Sequence, residues 1–167
     1  MTADTSYRPL TRWWWFADRL KREDITAQLE WLRDNGFGGA EIAWLGRTEG
    51  CSGEAMPFLS PGWSADVTFA AEEAARLGLR LDLTFGSQWP FGGEWVGEDE
   101  SVQTWNGPSR YRLRDPWPGP KGEKGRVVNH LDRRSLEAYA APLAEALAPA
   151  VCANAGDWFC DSWEIPS

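Results

Sequence analysis

Twice in the first half of the chain a helical pattern stops on a glycine and a strand pattern begins almost at once, and few folds accept that spacing. Over residues 22–35 the apolar Ile25, Leu29 and Leu32 recur at i, i+4 and i+7, while Glu23, Asp24, Glu30 and Arg33 fall elsewhere on the wheel. One greasy face on a 3.6-residue period predicts a helix, and Gly36 ends it. No Ser, Thr or Asn caps its start, where Glu23 and Asp24 instead suit the positive end of the helix dipole. Residues 38–45, GGAEIAWL, then alternate as a strand does, with Ala40, Ile42 and Trp44 on one side and Glu41 and Ala43 on the other. Ser60 and Pro61 form a second start signal, a capping hydroxyl before a proline at the first helical position. Trp63, Val67, Ala70, Ala74 and Leu77 continue at helical spacing to Gly78, and residues 79–85 read as the next strand.

Before the first helix, Trp13, Trp14, Trp15 and Phe16 make an apolar run too short for a helix, which predicts a strand buried on both faces. After Asp132, a cap, Leu136, Tyr139, Ala140, Leu143 and Leu147 predict a third helix, with a kink or break near Ala141 because Pro142 falls inside it. Residues 157–165, DWFCDSWEI, read as a fourth strand. Strand and helix thus alternate with minimal turns, the pattern of parallel βα units. A doubly wound nucleotide-binding sheet requires a glycine fingerprint between first strand and helix, where this chain has ADRLKRE at 17–23. A (β/α)8 barrel requires none and puts its chemistry in the loops that follow the strands. The expectation is an α/β fold: parallel βα repeats forming the first half of a TIM-type (β/α)8 barrel. A whole barrel takes about 250 residues and eight strands. The 167 residues therefore form a single partial domain in this reading, with unpaired edges on its first and fourth strands and self-association as one outcome.

Two stretches carry candidate chemistry. At 81–96, LDLTFGSQWPFGGEWV, a strand passes directly into a loop holding Trp89, Phe91 and Trp95. Aromatic faces on such a loop suit the flat apolar side of a sugar ring, and they suit equally the plugging of one end of a core. Glu41, a carboxylate within a strand, reads either as a sugar-hydroxyl acceptor or, the commoner fate, as an arginine's salt-bridge partner. Asp161 and Glu164 close the fourth strand, where a carboxyl is placed to protonate a leaving oxygen provided apolar surroundings, for which Trp158 and Trp163 are the candidates, raise its pKa. The other reading is a glutamate that is simply solvated. Residues 97–128, charged and rich in Gly and Pro, read as a long irregular insertion after the third strand, with a small hairpin suggested around Asn106 and Gly107.

Charge and cysteine content narrow the function. A net charge of −8, with 25 acidic against 17 scattered basic residues, opposes nucleic-acid binding, which needs a concentrated basic face. Cys51, Cys152 and Cys160 have neither a paired framework nor zinc-ligand spacing. The first ten residues lack the apolar run of a secretory signal, and no stretch reaches the roughly 20 apolar residues of a membrane span. A cytoplasmic protein is the expectation.

Several segments together, RPLTRWWWF at 8–16, GFGGAEI at 36–42, FLSPGW at 58–63, LGLRLDLTFGSQWPFGGEWV at 77–96, NHLD at 129–132 and FCDSWEI at 159–165, resemble the N-terminal catalytic region of glycoside hydrolase family 106, the α-L-rhamnosidases. The WPFGG loop is the most specific of them. The resemblance implies a (β/α)8 barrel, inverting hydrolysis of terminal α-L-rhamnosides, and calcium dependence with ligands unassigned. It implies Glu164 as the general acid, and Asp161, Glu41, Trp89 and Trp15 as sugar-pocket residues. In two respects the match departs from the family pattern: the span between Trp95 and Asn129 is short, and what the family carries after Ile165 is missing from the match. Inversion needs a second carboxylate about 6.5–9.5 Å from the acid. Asp82, mid-strand, does not suit that role, and His130, the one histidine, reads as ordering the helix start at Asp132. A rhamnosidase fragment lacking its base is the leading expectation, with a non-catalytic carbohydrate-binding fragment or a self-associating half-barrel as the alternatives.

Overall fold

The computed structural model describes residues 7–45, 53–87, 90–105, 111–113, 117–118, 124–154 and 156–160. Strand β1 (Leu10–Phe16) leads to helix α1 (Arg22–Asp34), strand β2 (Gly39–Leu45), helix α2 (Pro61–Leu77) and strand β3 (Arg80–Thr84). Five short strands follow: β4 (Gly92–Gly93), β5 (Gln103–Trp105), β6 (Tyr111–Leu113), β7 (Trp117–Pro118) and β8 (Lys124–Val127). Helix α3 (Arg133–Ala153) and strand β9 (Trp158–Phe159) complete the order. β1, β2, β3 and β9 lie side by side in that sequence, each pair parallel. A four-stranded parallel sheet alternating with helices is an α/β fold consistent with part of a TIM-type barrel.

The helix ends follow the local chemistry. Ser60 Oγ accepts the N–H of Trp63 at 3.3 Å, Pro61 opens α2, and Gly78 closes it at φ 68°. α1 has no side-chain cap, carries Glu23 and Asp24 in its first turn, and is followed by Gly36 at φ 83°. Asp132 caps α3, accepting from the backbone N–H of Arg134 and from the Ser135 hydroxyl at 2.9 Å. α3 runs unbroken through Pro142 and Pro149, so of the kink or break expected near Ala141 the break does not occur. Each proline removes one N–H donor, yet Tyr139, Leu143, Leu147 and Ala150 stay buried in the common core. Full burial of a large apolar side chain stabilises by about 1.5–3 kcal/mol, so the continuous stripe outweighs the interrupted ladder.

Parity divides the sheet into two unlike faces. Trp13, Trp15, Ile42, Trp44, Leu81 and Leu83 turn toward the helices and join the core. Trp13 Nε1 donates to Gln28 Oε1 on α1 at 2.7 Å, and the Trp44 ring meets Trp63 of α2 edge-on at 5.7 Å. The opposite face carries Arg12, Trp14 and Phe16 on β1, where Trp14 is 45% and Phe16 41% exposed. The expectation of a strand buried on both faces is corrected here: the WWWF run alternates like any strand and leaves every second aromatic open. That face is concave. The Arg12 guanidinium lies 4.3 Å from the Phe159 ring, so the first strand touches the fourth. In a flat sheet those strands stand three spacings apart, about 14 Å, beyond an arginine's reach.

The connections are braced at both ends of the sheet. Residues 17–19 pair with 54–56 through an Asp18–Ala55 bridge, with Arg19 N–H donating to Glu54 O at 2.8 Å and Met56 N–H to Ala17 O at 3.0 Å. At the other end Asp82 accepts from Arg80 at 2.6 Å and from the backbone N–H of Asp157 at 2.8 Å, which docks the start of β9 against β3. Asn154 reaches the same junction, donating to Leu79 O at 3.0 Å.

Within 97–128, expected as irregular, short antiparallel ladders are present: β8 pairs with β4 and β7, and β5 with β6. The β5–β6 pair brackets the hairpin suggested at Asn106 and Gly107, residues that lie outside those described. Gly86 is where the chain turns from β3 into this region, at φ 109°, with the Tyr139 hydroxyl in clashing distance of where a Cβ would stand. Gly86→Ala combines a strained φ with that clash and is expected to cost about 2 kcal/mol or more. Chemical denaturation will read this as a lower midpoint, part of which returns in the Gly86→Ala, Tyr139→Phe double variant.

Candidate active site on the concave face

The register fixes what the concave face can present. Arg12, Glu41 and Asp82 occupy one row across β1, β2 and β3; one step toward the strand ends stand Trp14, Ala43, Thr84 and Phe159, and one step further Phe16 and Leu45. Because the four strands are parallel, all of them finish at the same end, where barrel-type folds place their chemistry.

Glu41 is the centre of the polar row. Its Oε2 accepts from Arg12 Nε at 3.1 Å and its Oε1 from the Thr84 hydroxyl at 2.5 Å. The side chain is 13% exposed and that of Arg12 29%. Of the two readings open for Glu41, the arginine salt bridge is the one present. A pair this enclosed resists solvent screening better than a surface pair, and Arg12 is held further by the faces of Phe159 at 4.3 Å and Trp14 at 5.3 Å. The carboxylate is thereby committed to holding three strands together, and the hydroxyl of Thr84, itself buried, has its acceptor.

Trp15 does not join this face. It is 2% exposed on the helix side, meeting Trp13 at 5.2 Å and Trp44 at 6.5 Å, so it packs the core and its neighbour Trp14 takes the open position. Two aromatics of the 81–96 stretch also have structural duties. Phe91 is buried against Phe85 and Tyr139, at 5.1 and 5.4 Å, and Trp95 stacks between Phe58 and Tyr139, at 5.8 and 5.3 Å. For these two the core-plugging reading holds. Trp89, Asp161 and Glu164 lie outside the described residues. The described ends of β3 and β9, after which they come in sequence, lie at one end of the sheet.

Asp82 sits in the same row as Glu41 but is taken up by Arg80 and the Asp157 N–H, away from the strand ends. His130 is buried ahead of α3, and burial lowers its pKa, opposed by a hydrogen bond with the Val128 backbone. Burial likewise raises the pKa of Tyr139, with the nearby Cys160 adding to it, so its hydroxyl stays protonated and donates to Gly92 O at 3.3 Å. A cleft of about 590 Å³ opens outside the sheet, lined by Arg19, Arg22, Glu54, Met56, Ser60 and Asp66 among others. Its charges are paired, Arg19 with Glu54 at 2.8 Å and Arg22 with Asp66 at 3.5 Å. Among the described residues no group of three or more His, Cys, Asp or Glu side chains is arranged to hold a metal. No helix among them is long and apolar enough to cross a membrane.

A parallel α/β wall with a polar, aromatic concave face is consistent with part of a TIM-type barrel. The sequence profile of glycoside hydrolase family 106, described as alpha-L-rhamnosidase, matches residues 2–109, and the chain belongs to that family. A rhamnosidase from Novosphingobium sp. PP1Y is similar in structure, with 28% identity and a TM-score of 0.54 over 62% of this chain, which spans 10% of that one. A looser likeness, 12% identity and a TM-score of 0.42 over 95% of this chain and 44% of the other, is to an α-amylase I crystallised with maltohexaose from Eisenia fetida. No curated protein matches.

The ion pair can be weighed by a double-mutant cycle. Glu41→Gln strands a partly buried guanidinium and Arg12→Gln a partly buried carboxylate. Each is expected to lower stability by about 1–3 kcal/mol, with the double variant costing clearly less than the sum. Urea midpoints measure all four corners of the cycle, and full additivity would mean the pair contributes nothing.

Proposed function

We propose that this chain forms part of the sugar-facing wall of an α-L-rhamnosidase acting on terminal α-L-rhamnosides with inversion of configuration. What most supports the reading is that the family match spans β1, β2 and β3, the strands whose concave face is open and both polar and aromatic. Glu164 is the general acid of the proposal. Its carboxyl donates a proton to the glycosidic oxygen as the bond to the anomeric carbon breaks, and a water attacks from the opposite face. Asp161 and Trp89 flank the sugar in this reading, and Trp14 replaces Trp15 beside them.

Inversion requires a second carboxylate to take the water's proton. On the described concave face Glu41 is bound to Arg12 and Thr84, and Asp82 to Arg80 and Asp157. Neither is free to act, which supports the proposal that the described part of this face supplies no catalytic base. The calcium proposed from family membership finds no cluster of ligands among the described residues, and both proton transfers of the proposal run through side chains alone.

By this proposal the chain alone releases no rhamnose from 4-nitrophenyl α-L-rhamnoside, as followed by absorbance. Turnover abolished by Glu164→Gln would keep the acid and overturn the missing base. Turnover unaffected by that substitution would remove Glu164 from its role.

A second reading concerns assembly. β1 and β9 are the outer strands of a curled parallel sheet, and two copies joined edge to edge in parallel would supply eight strands, the number that closes a barrel. Sedimentation equilibrium is expected to give a dimer, which Leu10→Pro, at a position whose N–H faces the outer edge of β1, dissociates; a monomer across the micromolar range rejects this assembly.

A further inference from the structure

The concave face is not uniform, and its gradient has a chemical meaning. At the floor lie Arg12 and Glu41, bonded to each other, and Thr84, one step above on β3, donates to Glu41. Toward the strand ends the register brings Trp14 beside Ala43 and Phe16 beside Leu45. Among the described residues this upper corner of β1 and β2 is lined by Trp14, Phe16, Ala43 and Leu45, with the Trp14 indole N–H as its one side-chain donor, and its two aromatics are 45% and 41% exposed. Neither ring is needed to fill the core, which Trp13 and Trp15 serve from the same strand. Exposed aromatics side by side above a fixed polar floor are an amphipathic surface, suited to a ligand with hydroxyls along one edge and an apolar corner.

We propose that Trp14 and Phe16, with Leu45, form the specificity element that reads the methyl group of a 6-deoxyhexose. The inference rests on the rhamnoside reading and deepens it. Rhamnose differs from mannose of the same hand only in carrying a methyl where mannose carries a hydroxymethyl. Against an apolar corner the methyl sheds water at no polar cost. Among the described residues the extra hydroxyl loses hydration and finds no side-chain acceptor there that is not already engaged, since Thr84, on the same row as Trp14, is bonded to Glu41, and the only neighbouring donor is the Trp14 indole N–H. Rejection of a hydroxyl by an apolar pocket is modest, about 10²-fold when the pocket is closed. A face open on one side is expected to give about tenfold or less.

The test is isothermal titration of the full chain with L-rhamnose and with L-mannose, repeated on Trp14→Gln and Phe16→Ser, with circular dichroism and thermal unfolding as fold controls. The expected result is about five- to tenfold tighter binding of L-rhamnose by the wild type. That ratio falls toward one in Trp14→Gln or Phe16→Ser while the unfolding temperature is retained. Equal affinity of the wild type for the two sugars overturns this inference and leaves the glycosidase reading standing, and so does a preference unchanged in both folded variants. Failure of the wild type to bind either sugar at up to about 100-millimolar concentrations overturns both. Since the wild-type ratio alone is decisive, a variant that does not fold leaves the proposal still exposed to refutation.

Discussion

The guanidinium of Arg12 touches residues of three strands. It donates to Glu41 on β2, lies over Phe159 on β9 and beside Trp14 on its own strand, while Glu41 passes the connection to Thr84 on β3. Only a curled sheet allows those contacts at once, and once made they oppose flattening. Barrel interiors are usually filled by branched apolar side chains in layers. Here one layer is charged, and the charge is neutralised within the layer by a pair whose members sit on adjacent strands. The curvature, the concave face and the placement of the aromatic corner all depend on this brace.

On the other side of the sheet a different principle governs. Trp15, Trp44, Trp63, Phe58, Trp95 and Tyr139 form a continuous run of ring contacts from β1 through α2 to α3. Such rings bury large areas, and their edge-to-face and offset contacts add to what burial alone gives. The tryptophans that make the sequence look like a sugar-binding surface are therefore mostly core. Among the described tryptophans Trp14, Trp31 and Trp158 are exposed, and of these Trp14 shares with Phe16 an open position set by strand parity.

Much of the fold is legible in the sequence because its signals are local. A cap hydroxyl at Ser60, a proline at position 61, glycines at 36 and 78, and two-residue alternation over 38–45 are each set by the geometry of a few neighbouring residues. The parallel order follows from the turn lengths. What misleads is information that resides in tertiary packing. WWWF looks two-sided because an all-apolar run hides its period, whereas the structure turns Trp15 into the core and leaves Trp14 on the open face. Pro142 suggests a break because the contribution of the buried stripe of α3 is invisible in a window around the proline. The arginine that claims Glu41 is 29 residues away in sequence. Alternation counted from Arg12, as the mark of the open face, points to Trp14.

The two loops that follow β1 and β2 are stitched together by the Asp18–Ala55 bridge and its two flanking backbone hydrogen bonds. Neither can swing outward alone, because either motion strips amides of their acceptors at two places simultaneously. Residues 17–19 and 54–56 accordingly shift as one clamp or not at all.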